Sequence, residues 1–214
     1  MELIINSIPL LFKGLQNTII MSLVATLLAT VLGILFAFIQ IFSHFFIKAV
    51  VEVLLYLIRG VPLLVLLFMM YYSLLYSGLQ VDPLIGGSVV IGVYFAAFMS
   101  EVFRGGILSI AKGQWEAGYA LGLRTHQVVG SILIYQALRI IGAPFINTVI
   151  MIIKGTSLVA IIGVTELTFV GRQIVERTLE PFLIFSLVAL IYIVMCYSLS
   201  LLAQHLERKI GYVN

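Results

Sequence analysis

The chain has 214 residues, 62% of them hydrophobic and only 10% charged, with a mean hydropathy of +1.20. That excludes an ordinary soluble domain, in which roughly a quarter of residues are charged. The 12 basic and 9 acidic residues leave a net charge of +3, too small for a nucleic-acid-binding surface, and the single cysteine, Cys196, excludes an intrachain disulfide or a cysteine metal cluster.

The apolar stretches run throughout and no Pro/Ser-rich linker divides them, so one membrane domain over residues 1–214 is expected. Residues 1–6, Met-Glu-Leu-Ile-Ile-Asn, lack a basic segment and a clear small-residue cleavage site, and are expected to stay in the mature chain. A membrane-crossing helix needs about 20 mainly apolar residues, and five stretches supply them. The first runs from about Ile19 to Ile41 and the second from about Val61 to Leu79, opening on Gly60-Val61-Pro62, where proline suits a first helical turn. The third occupies about Leu84 to Phe103. The fourth, about Ala143 to Thr165, contains Lys154, and the fifth covers about Phe182 to Leu206.

Five spans put the termini on opposite sides, and the Lys/Arg bias selects the orientation. With the N-terminus outside, Lys48, Arg59, Arg104, Lys112, Arg124, Arg139, Arg208 and Lys209 face the cytoplasm, while Lys13, Arg172 and Arg177 face outward. The expected fold is therefore an all-α bundle of five transmembrane helices with its C-terminus cytoplasmic. An odd number of spans also argues against two matched halves within one polypeptide, so a path between halves needs a second subunit.

At the end of the third span, Glu101 and Arg104 are spaced for an i, i+3 pair, a structural or gating anchor. The longest polar connection follows, about residues 104–141. In it Ala117, Gly118 and Ala120 give a short helix a nearly bare face for close approach of another protein. Gly122 suits a positive-φ helix stop, and a second helix can start near Thr125. From the residues alone, a docking knob and a helix pair lying on the membrane are both open.

Glu116-Ala117-Gly118 followed by Gly122 resembles the "EAA" loop of bacterial ABC importer permeases. The wider string SEVFRGGILSIAKGQWEAGYALGL, then IYQALR, then KGTSLVAIIGVTELT, resembles the polar amino-acid branch of that family, the histidine, glutamine, arginine and cystine type. The likeness covers about Arg59 to the C-terminus. Gly118 stands for the second alanine, Tyr135 where a proline usually follows, and Gly155 where an acidic residue often follows the lysine.

The resemblance implies a type I importer permease in a bacterial inner membrane. Glu116, Ala117, Gly118, Ala120 and Gly122 would couple it to a separate ATPase that carries ATP and Mg. A second permease subunit, identical or paralogous, would complete the path, and an extracytoplasmic binding protein would deliver an amino acid. The chain has no GxxxxGK[ST] phosphate loop, so it is expected to hold no cofactor and to be no enzyme. A channel or secondary carrier not driven by ATP is the competing reading, because a charged residue inside a span also suits an ion path.

Lys154 is that residue. Asn147, Met151, Lys154, Ser157 and Ile161 share one helical face by i, i+3/i+4 spacing, with Thr156 at the same depth and Glu166 at the outer end. An amino-acid substrate needs partners for a carboxylate and an ammonium. Lys154 with the hydroxyls of Thr156 and Ser157 can serve the first, and Glu166 or a carbonyl freed near Gly155 the second, with Asn147 a further substrate-binding candidate on the same face. Alternatively, Lys154 pairs with an acidic residue of a neighbouring helix and the hydroxyls only join helices. Tyr71, Tyr72 and Tyr76 suit an interfacial belt, and His44, His126 and His205 have no metal-ligand spacing.

Overall fold

A computed structural model describes residues 2–210, with side chains from Ser7 to Arg208. The expectation for the start of the chain and the charge of Lys209 concern side chains outside the described residues. Every regular element among the described residues is a helix: α1 (Glu2–Phe42), α2 (Phe45–Gly60), α3 (Leu63–Tyr76), α4 (Pro83–Leu108), α5 (Lys112–Ala120), α6 (Thr125–Val128), α7 (Ile134–Thr156), α8 (Leu167–Thr178) and α9 (Pro181–Ile210). A π turn, Val129–Leu133, joins α6 to α7, and a 3-10 turn, Ser157–Ile162, follows α7.

Four segments are long and apolar enough to span a bilayer: Ser7–Phe42, Pro83–Leu108, Thr125–Ile162 and Pro181–Arg208. The expected second span, Val61 to Leu79, holds only the 14-residue α3, which reaches spanning length only together with α2, bent from it by 102°. The bend has a local cause: Pro62 lacks an N–H and pushes the preceding residue out of the helical region, and Val61 is accordingly extended at φ −93°, ψ 134°. The fourth span begins well before Ala143, because α6 continues through the π turn into α7.

The α1–α4 pair organises the bundle, and its close approach can be read from α1. Met21, Ala25, Ala29 and Ala37 recur every four or eight residues and are fully buried, with Gly33 completing the stripe. A Cβ on Gly33 would lie 2.5 Å from Cβ of Met99, so only glycine permits this backbone separation, as at many membrane helix contacts. On the opposite face Leu23, Leu27, Val31 and Leu35 are all exposed, as lipid contact requires. Asp82 starts α4, its Oδ1 accepting from the N–H groups of Leu84 (2.9 Å) and Ile85 (3.2 Å), with Pro83 at the first helical position.

The main core joins α1, α3, α4, α7 and the 3-10 turn through Met21, Leu67, Ile91, Phe95, Ile152 and Val159. At one end of the bundle, the Asn17 amide donates to the Thr165 carbonyl at 2.7 Å and Leu167 N–H donates to Thr18 Oγ1 at 3.1 Å. These bonds tie α1 to the start of α8. The other end carries α2, α5 and α6.

Candidate functional site

Between α7 and α9 lies an open cavity of about 470 Å³ lined by Asn147, Ile150, Lys154, Tyr192, Ile193, Cys196, Tyr197 and Ser200. Its depth follows from the neighbour of Lys154: a Cβ on Gly155 would lie 3.2 Å from the ring of Phe95, near the midpoint of α4. Lys154 makes no ion pair among the described residues. Glu101 is held by two arginines and Glu166 by a helix end, so neither neutralises it. A cation at such depth is costly without compensation, and this one faces a polar-lined opening.

Asn147 and Lys154 line this cavity, and Thr156 and Glu166 stand behind it, each against Tyr192 of its wall. The backbone tightens into the 3-10 turn from Ser157 onward, and neither Ser157 nor Ile161 lines the cavity. Thr156 is fully buried and donates to the Ile153 carbonyl at 2.7 Å; the Ser157 hydroxyl donates to that of Lys154, also at 2.7 Å. The α9 half of the lining, Tyr192, Cys196 and Ser200 with Tyr197, was not singled out from sequence. Its i, i+4 spacing in an otherwise apolar helix is the signal that identifies it.

Glu166 lies behind this lining. It is fully buried and caps α8, its Oε1 accepting from Phe169 N–H at 2.7 Å and its Oε2 from Thr168 N–H at 2.9 Å. The Tyr192 hydroxyl, on the cavity wall, donates to Oε2 at 3.0 Å. Burial pushes the Glu166 carboxyl above its ordinary range, opposed by these donors. Glu166→Leu is expected to lower the melting temperature of the purified protein, since it removes a cap worth about 1 kcal/mol and the 3.0 Å acceptor of the Tyr192 hydroxyl, which keeps the 3.3 Å contact with Thr168 Oγ1, for a further loss of about 1 kcal/mol. Glu166→Gln keeps an acceptor at the cap and should melt close to wild type.

The segment after α4 forms a compact knob. Helix α5 ends in a Schellman motif: Gly122 at φ +77° donates to the Tyr119 carbonyl at 2.9 Å, and Leu123 N–H to that of Gly118 at 3.2 Å. Gln127 Oε1 accepts from Arg124 N–H at 2.9 Å to start α6. Glu116, Ala117 and Ala120 are exposed. Gly118 is turned inward instead, and a Cβ there would lie 2.7 Å from Cγ2 of Val128. Its smallness serves the contact of α5 with α6 rather than an outer surface.

Glu101 and Arg104 form the expected pair, Nη2 to Oε2 at 2.6 Å, and Arg59 of α2 joins it at 3.4 Å from Oε1. Groups of three or more His, Cys, Asp or Glu able to hold a metal are absent among the described residues.

Residues 29–212 match the family described as the binding-protein-dependent transport system inner membrane component. The chain is 34% identical over 205 residues to the glutamine transport system permease protein GlnP of Escherichia coli (strain K12), covering 95% of this chain and 94% of that one. It is 37% identical over 154 residues to the L-cystine transport system permease protein TcyB of Bacillus subtilis (strain 168), covering 72% and 66% of the two chains. Among solved structures, an amino acid ABC transporter crystallised with histidines superimposes with a TM-score of 0.90 at 29% identity, over 96% of each chain.

Proposed function

The chain belongs to the family of binding-protein-dependent transport system inner membrane components, a multi-pass permease and not an ATPase, and we propose on that footing that it forms the amino-acid path of an ATP-driven importer. The observation that carries the reading is Lys154: a cation at mid-bundle depth with no ion pair among the described residues, opening on a cavity of a size that accommodates small ligands. A substrate carboxylate supplies the missing counter-charge. Asn147, Tyr192, Tyr197 and Ser200 supply neutral hydrogen-bonding groups around it, whereas Thr156 and Ser157 contribute through the backbone turn that shapes the site. Glu166 acts through Tyr192, which it holds in place.

Because the cavity is open on one side, a second permease subunit closes the path. The whole chain works as one permease domain, with residues 104–141 as its coupling segment. Glu116, Ala117 and Ala120 present the exposed face to an ATPase that binds ATP and Mg, supported from within by Gly118 and Gly122. An extracytoplasmic binding protein delivers the amino acid to the opposite side.

This arrangement requires α5 to face the cytoplasm and the start of α9 to face outward. In a Cys196→Ser background, Phe182→Cys is expected to react with an impermeant thiol reagent on intact cells, and Lys112→Cys only after permeabilisation. Labelling of position 112 from outside would contradict the orientation.

A further inference from the structure

A second polar cavity, of about 410 Å³, lies at the end of the bundle that carries α5, lined by Gln40, Glu52, Val53, Tyr56, Arg59, Glu101 and Arg104. Its depth can be estimated along α4. Glu101 and Arg104 follow Phe95, near the helix midpoint, by about 9 and 14 Å at 1.5 Å per residue, against a half-thickness of about 15 Å for the hydrocarbon core. The cavity thus sits where acyl chains give way to headgroups. Helix α2, bent 102° from α3, brings Arg59 to this level, and its Val53 and Tyr56 are exposed beside the opening.

The charges are unevenly matched. One carboxylate, Glu101, is shared by Arg59 and Arg104, and Glu52 is paired with Lys48 at 3.8 Å. Three cations against two anions leave one positive charge in excess. Arg104 spends its Nε and Nη2 on Glu101 and Arg59 directs Nε to the Leu55 carbonyl, so Arg59 Nη2 and Arg104 Nη1 have no acceptor among the described residues. Gln40, only 3% exposed, lies on the cavity wall with its Oε1 unpaired. A turn of its amide presents that oxygen to a donor in the cavity.

We propose that this cavity binds the headgroup of an anionic glycerophospholipid. The phosphodiester accepts from the free guanidinium donors, a glycerol hydroxyl donates to Gln40 Oε1, and the acyl chains run past Val53 and Tyr56. Basic recesses between helices at membrane depth suit such headgroups, and the apolar rim suits a lipid better than free phosphate.

Native mass spectrometry of the intact permease–ATPase complex, supplied with equal amounts of phosphatidylglycerol, phosphatidylethanolamine and phosphatidylcholine, tests this. Phosphatidylglycerol should be retained about fivefold over either zwitterionic lipid, as one excess charge near the surface implies. Arg59→Gln and Arg104→Gln each leave Glu101 one arginine, so both should assemble and lose the preference, whereas Gln40→Leu keeps the charge balance and should only reduce it. Added inorganic phosphate should not displace the lipid. Equal retention of the three lipids, no retained lipid, displacement by phosphate, or an unchanged preference in both arginine variants would overturn the proposal.

Discussion

Lys154→Met is expected to abolish most ligand-dependent transport while leaving the complex assembled. Methionine matches the length of the lysine stem but not its charge, so a substrate carboxylate would enter the cavity without its counter-ion. Hydrogen bonds to a charged group are worth about 1.5–3 kcal/mol, so transport efficiency should fall by about ten- to a hundredfold. Assembly should survive, because Lys154 makes no ion pair among the described residues whose loss would strand a buried acid. Uptake of labelled amino acid by reconstituted vesicles, beside size-exclusion profiles of the variant, checks both halves. Normal uptake by an assembled Lys154→Met complex would remove Lys154 from the substrate path. Loss of assembly instead would indicate a counter-ion contributed by the second permease subunit.

The next largest effect is expected at the knob, where two neighbouring positions should respond differently. Ala117 is exposed, so Ala117→Trp fills the space between α5 and an approaching ATPase without disturbing the permease. Co-purification of the ATPase should be lost while the thermal stability of the isolated permease stays at wild type. Gly118→Val acts from within, because its side chain must displace Val128. Overpacking of this kind costs about 1–3 kcal/mol and should lower the stability of the isolated permease as well as ATPase binding. Equal behaviour of the two variants would show that the knob has no distinct outer and inner faces.

The apolar spans, the pair of short helices after α4 and a charge inside α7 are legible in the sequence because each is a local signal: apolar length, glycine and alanine in a polar connection, a charge in an apolar run. Helix α2 escapes a search for apolar windows, since Lys48, Glu52 and Arg59 interrupt it, although their spacing is that of one helical face. The inward turn of Gly118 depends on which side of α5 meets Val128 after a turn of four residues, a tertiary fact that residue type does not encode. Glu166 shows the same limit. Charge at the end of a span suggests a ligand, and only the fold shows its oxygens spent on the N–H groups of α8. Arg59 joins Glu101 from another helix far away in sequence, and no periodicity connects them.

If this chain passes an amino acid only as part of an ATP-driven complex, as proposed, uptake into proteoliposomes should depend on that complex and on ATP. Vesicles containing the chain with its ATPase and second permease subunit, given ATP and the binding protein, should accumulate amino acid against its gradient. Vesicles with the permease alone, or with the full complex and no ATP, should not. Gradient-driven uptake by the isolated chain would contradict the account and identify a carrier or channel.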